Sequence, residues 1–123
     1  MLKQDDICGY WFLKSWDIHY EDGSVKSYEG EAVSGFLHYD YNGRMIVSLF
    51  RKESGSLIST YTGPYDIQGD TVYHYPDEGF CLAGLDQEKK RYLSRWGNRL
   101  IMKTPTLNLT SGKACYRLTW QKL

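Results

Sequence analysis

Turn chemistry interrupts this chain at short intervals, and that punctuation restricts it to an antiparallel β protein. Glu21-Asp22-Gly23-Ser24 closes a hairpin between a first strand, Gly9 to Tyr20, and a short second one, Val25 to Tyr28. Asp40-Tyr41-Asn42-Gly43 joins Gly35–Tyr39 to Arg44–Arg51, and its Asn-Gly pair supplies the positive φ angles that a type I′ turn or a longer bulged loop requires. Gln68-Gly69-Asp70 connects Ser59–Ile67 to Thr71–Tyr75, and Gly97-Asn98 connects Arg91–Trp96 to Arg99–Thr104. The last strand is expected over Ala114 to Lys122.

Period-2 alternation then assigns faces. Arg99 and Lys103 point one way, so Leu100 and Met102 point inward; Tyr116, Leu118 and Trp120 share an apolar face against Arg117, Thr119 and Gln121. Met45, Val47 and Leu49 fall together, with Leu37 and Tyr39 on the partner strand. No stretch carries a helix-length stripe; Lys3–Cys8 and Asp86–Lys90 have room for a turn or two. The 123 residues suit one domain, 1–123, of eight or nine strands. Sequential hairpins favour a meander over a sandwich, and a meander removes its exposed edges by closing. The expected fold is all-β, a single closed antiparallel up-and-down barrel. Gly9-x-Trp11 starts it: the glycine permits a close backbone approach, and the indole plugs the barrel floor.

Fifteen Lys and Arg balance fifteen Asp and Glu, so no global field steers the protein to nucleic acid or to an anionic membrane. The basic run Lys89-Lys90-Arg91, preceded by Asp86 and Glu88, reads as a solvated edge or turn. Cys8, Cys81 and Cys115 are odd in number and widely spaced, which indicates reduced thiols and neither a disulfide framework nor a metal site. The acidic, non-apolar start is not a signal peptide and no window approaches a membrane span, so a cytoplasmic location is expected.

Gly9-x-Trp11-x-Leu13-x-Ser15-Trp16, Gly35-Phe36-Leu37-His38-Tyr39 with Asn42-Gly43-Arg44-Met45, and Tyr61-x-Gly63-x-Tyr65 then recur in an order that resembles the bacterial and fungal lipocalin-like domain family of the calycin barrels. Val72-Tyr73-His74, Arg91-Tyr92, Gly97-Asn98-Arg99-Leu100, Thr104-Pro105 and Arg117-Leu118-Thr119-Trp120 continue the match over nearly the whole chain. The resemblance implies a barrel with an internal cavity, and a basic residue of the last strand packed near the early tryptophan. Arg117 is the candidate partner of Trp11 at the floor, although parity sets it opposite Leu118. It carries over no catalytic residue.

Chemistry-bearing side chains are few. His74 alternates with Val72 beside the Tyr61/Tyr65 strand and could orient a ligand or act as acid or base; the alternative is a buried imidazole satisfied by a tyrosine hydroxyl. His19 and His38 read as surface residues. Eleven tyrosines supply apolar walls with oriented hydroxyls, and Tyr39, Tyr61, Tyr65 and Tyr92 are assigned to inner or rim positions, where they either line a cavity or fill it. With Leu37, Met45, Val47, Leu100 and Met102 they make up the candidate ligand-binding set. Glu29 and Glu31 share parity near a strand end, in what reads as a loop at the barrel mouth. No phosphate loop, nucleophile elbow or metal-ligand spacing occurs, and no cofactor is expected. The first reading is a binding module for one small apolar or amphipathic molecule. Its rivals are an enzyme of the same fold, a cyclase or isomerase working by confinement and one acid or base, and a filled barrel that dimerises through outer aromatics such as Phe12 and Trp16.

Overall fold

The computed structural model describes residues 1–29, 32–80 and 89–123. Glu31, Cys81 and residues 86–88 lie outside that description, and with them the carboxylate pair, the third thiol and most of the second possible helical turn. The elements are a single-turn helix α1 (Gln4–Ile7) and the strands β1 (Gly9–Tyr20), β2 (Val25–Glu29), β3 (Val33–Tyr39), β4 (Arg44–Arg51), β5 (Leu57–Gln68) and β6 (Thr71–His74). They continue as β7 (Glu78–Phe80), β8 (Lys89–Trp96), β9 (Arg99–Lys103), β10 (Leu107–Leu109) and β11 (Gly112–Lys122).

Eight of these strands close an antiparallel barrel in the order β1, β3, β4, β5, β6, β8, β9, β11. β11 returns to β1 along a register that runs from Trp11↔Lys122 to Tyr20↔Ala114, which leaves the sheet without a free barrel edge. Three short strands extend barrel strands outside this circuit: β2 on β1, β7 on β5 and β10 on β11. β7 and β10 have three residues each, too few for an alternating pattern to announce them.

The expected faces hold on β3, β4, β9 and β11 but fail on β1 for a local reason. The β1–β11 register shifts between Leu13 and Ser15, so Lys14 is an extra, exposed residue and the alternation restarts beyond it. Trp16 is thereby turned into the barrel with Trp11, Leu13 and Ile18, and only Phe12 of the two expected outer aromatics faces out. At Asp40–Gly43 the longer-loop alternative is the one realised. Gly43 alone has positive φ there (88°), and the Asp40 carboxylate accepts N–H bonds from Asn42 and Arg44, each 2.9 Å.

One end of the barrel is sealed by α1. Ile7, Cys8 and Trp11 are buried there, and the Trp11 indole N–H donates to the Ile7 carbonyl at 2.8 Å. Arg95 crosses beneath the helix, donating to the Asp6 carbonyl at 2.9 Å, and its guanidinium lies 5.5 Å from the Trp11 ring centre. Lys122 Nζ stands at the same distance from that ring. Trp11 is the floor as expected, but its cations are Arg95 and Lys122. Arg117 points outward, cross-strand from Asp17 and Lys103, as its parity with Thr119 requires.

Candidate functional site

Above this floor, three neighbouring barrel strands deliver one hydrogen-bonded group to the interior. β6 supplies His74, which is fully buried; β3 supplies Tyr39, whose hydroxyl lies 2.6 Å from His74 Nε2; β5 supplies Tyr61, whose hydroxyl lies 2.9 Å from Nδ1. The proton positions follow from satisfaction of buried groups. Tyr39 is fully buried and, among the described residues, its hydroxyl bonds only the imidazole, so its O–H donates to Nε2. A neutral imidazole then carries its proton on Nδ1 and donates it to the Tyr61 oxygen, which turns the Tyr61 proton away from His74.

Burial, and secondarily the cations Arg91 and Lys89, hold the His74 pKa well below the ordinary histidine value. Burial likewise pushes the Tyr39 phenol well up. With both ring nitrogens occupied and its charged form suppressed, His74 behaves as a structural centre, the alternative left open above. Tyr65 closes the group towards the floor: it packs edge-on against Tyr39, donates to the Asp40 carbonyl at 2.6 Å and accepts from Gln4 at 3.2 Å. Because its proton is committed to Asp40, the Cys8 thiol, 3.3 Å away, is the donor of that contact. Desolvation raises the Cys8 pKa, so this thiol is a poor nucleophile.

A cavity of about 390 Å³ occupies the end of the barrel away from α1. Val47, Met102, Leu118 and Trp120 form apolar wall, Tyr61 forms the side nearest the His74 group, and exposed Thr106 and Asn108 connect it to solvent. Among the described residues the barrel is therefore filled at the floor and hollow at the mouth. The volume falls at the lower end of ligand pockets, which run roughly 300–1,000 Å³.

The candidate residues separate accordingly. Val47, Tyr61 and Met102 line the cavity. Leu37, Tyr39, Met45, Tyr65, His74 and Leu100 are buried but belong to the packed part of the interior, outside the cavity wall. Tyr92 is on the outer surface, 41% exposed. The reason is the parity of β8, whose inward column is Lys89, Arg91, Leu93 and Arg95, while Lys90, Tyr92, Ser94 and Trp96 face out. Lys89-Lys90-Arg91 is accordingly a strand start that sends two of its three cations inside, not a solvated turn.

Lys89 (6% exposed) and the half-buried Arg91 both line the cavity, and Lys89 Nζ sits 5.9 Å from the centre of the Tyr61 ring. No carboxylate occurs among the described lining residues. These cations are cavity-lining residues that sequence reasoning missed; their i, i+2 spacing, in step with Leu93, was the available signal. His38, expected at the surface, is half-buried and donates from Nδ1 to the Gly9 carbonyl at 2.8 Å. His19 is also half-buried. Among the described residues no cluster of His, Cys, Asp and Glu could hold a metal ion, and no helix is long and apolar enough to cross a membrane.

No protein-family model and no curated protein matches the chain. Among solved structures it is similar to a lipocalin-like protein from Bacteroides uniformis ATCC 8492, at 15% identity and a TM-score of 0.58 over 96% of this chain and 99% of that one. It is also similar to an uncharacterized protein from Bacteroides eggerthii DSM 20697, at 14% identity and a TM-score of 0.57 over 96% of this chain and all of that one. At such identities the likeness is one of fold, and the fold is lipocalin-like.

Proposed function

We propose that this barrel is a binding module that takes one small amphipathic molecule into the hollow end of its interior. The observation that carries the reading is the coexistence of a filled floor with a solvent-connected cavity of about 390 Å³. Packed interiors leave few voids larger than a water molecule, so a hollow of this size is an exception to close packing that a ligand would remove. Its composition supports the same conclusion, with aliphatic and aromatic walls interrupted by a few polar groups, as small-molecule sites generally are. Acid–base turnover is less well supported, because both nitrogens of the sole fully buried histidine are engaged.

Native mass spectrometry of the protein purified from its own cells, compared with the denatured chain, tests this reading. The expected result is a small molecule retained in the native species and absent after denaturation. A native mass equal to that of the bare chain, together with no uptake of added amphiphiles in calorimetry, would overturn it.

A further inference from the structure

The charges of the chain cancel in total but are segregated in space. β8, β9 and β11 are consecutive neighbours in the barrel wall, and they carry nine of the chain's fifteen Lys and Arg and none of its fifteen Asp and Glu. Their outward positions form a grid of three cross-strand rows: Tyr92–Lys103–Arg117, Ser94–Ile101–Thr119 and Trp96–Arg99–Gln121. No carboxylate occurs in the grid; Asp17 on β1, cross-strand from Arg117, borders it. The same face carries aromatic rings that the fold leaves in water. Trp96 is 72% exposed, whereas the other three tryptophans are buried, and exposed Tyr92 precedes it by four residues on the same strand, with Lys90 Nζ 5.4 Å from its ring centre. The Trp96 indole N–H donates to Ser94 Oγ at 3.3 Å, which ties the ring along the strand at one end of a shallow depression. Ser94 and Ile101 lie at the middle of that depression, and Lys103 and Arg117 at its other end. A ring this exposed adds little buried area to the fold, and beside Tyr92 and Ile101 it belongs to a patch, not to a scatter of single apolar residues.

We infer that this outer face is a docking surface for single-stranded nucleic acid, whose bases stack on Trp96 and Tyr92 and whose phosphates meet Lys90, Arg99, Lys103 and Arg117. The two rings are about 13 Å apart along the strand, so one extended oligonucleotide reaches both. Rings interleaved with cations are what a sequence-tolerant single-strand platform needs, the rings gripping bases and the cations the backbone. A duplex keeps its bases stacked on each other, and an acidic peptide has no bases; either would use the cations and leave the rings idle. The face shares no residue with the described cavity wall, so it can act whether or not the cavity is occupied.

Fluorescence anisotropy of the full chain with labelled oligo-dT of about fifteen nucleotides, the matching duplex and an oligoglutamate tests this over a series of salt concentrations. The single strand is expected to bind at least about tenfold more tightly than either other probe, with a log–log salt slope of about −2 to −3 for three or four phosphates neutralised. Lys103→Gln and Arg117→Gln should each flatten that slope by about 0.7, whereas Trp96→Ala should weaken binding at least about fivefold and leave the slope as it was. Trp96→Phe should restore part of the loss. All four substitutions are at exposed positions, where the fold is expected to tolerate them. Exposed Arg51 on β4, across the barrel from β9, is the control, and Arg51→Gln should change neither affinity nor slope. No binding of the single strand at low salt, equal binding of the three probes, or a Trp96→Ala protein that binds as the wild type does would overturn the inference. So would an Arg51→Gln effect as large as that of Lys103→Gln, which would mark attraction to charge anywhere on the surface. None of these outcomes touches the binding-module reading, whose test is the retained small molecule.

Discussion

His74 binds its surroundings through two phenols, and that arrangement has a definite pH signature. The folded protein keeps the imidazole neutral, because burial and then Arg91 and Lys89 depress its pKa. The unfolded chain protonates it below about pH 6.5. The unfolded state therefore binds the extra proton, and this contribution to stability is complete above about pH 6.5 and is lost as pH falls, by about 1.4 kcal/mol per pH unit until the folded-state pKa is reached. In urea titrations the wild type should lose about that much more stability per unit than His74→Gln over this window; His19 and His38 are common to both proteins and cancel. Parallel losses in the two proteins would show that His74 is not held neutral. The burial of His74 was legible from its alternation with Val72. That both nitrogens are taken was not, since the phenols come from β3 and β5 and meet only across the closed sheet. The same holds for Arg95, Lys122 and Trp11: parity could exclude Arg117 from the floor, but which cations reach the indole depends on where α1 folds back.

Among the elements, β1 and β8 show how a strand's pattern can mislead. In β1 the extra residue Lys14 shifts the alternation, so Trp11 and Leu13 on one side of the bulge and Trp16 and Ile18 on the other all point inward. Deleting Lys14 should leave every one of these faces as it is. Deleting Ile46 from the unbroken β3–β4 ladder should turn one half of β4 inside out. The expected outcome is a cooperative thermal transition and native near-ultraviolet dichroism for the first deletion and loss of both for the second; the reverse order would refute the bulge assignment. In β8 the difficulty is different: apart from Leu93 its inward residues are basic, so hydrophobic alternation reads its faces backwards. β5 carries a third constraint. A Cβ on Gly63 would collide with the Tyr75 carbonyl, where the chain leaving β6 crosses β5. Gly63→Ala is expected to cost about 1–3 kcal/mol in urea unfolding, because backbone cannot yield as a side chain can. An unchanged midpoint would mean that this crossing is loose.

For the molecule as a whole, the eight barrel strands, their antiparallel order and the closure of the barrel followed from turns and alternation, which are local signals, whereas the short β7 and β10 did not. The division of the interior into a filled floor and a hollow mouth did not, since it depends on side chains from most of the barrel strands meeting in one volume. Val47→Phe probes that division directly. The new ring enters existing space, so stability should change by less than about 1 kcal/mol, whereas uptake of an added amphiphile by the proposed binding cavity should weaken by at least about tenfold. A large loss of stability would show that the space around Val47 is already occupied by packed atoms. The seal at the other end has its own consequence. With Ile7 and Trp11 stoppering the floor, the barrel is a cup and not a conduit. A molecule held as proposed must leave by the way it came, so a second molecule cannot push the first one through. Exchange would then be a queue: the rate of replacement rises with competitor only until it reaches the occupant's own rate of departure, and beyond that no excess hurries it.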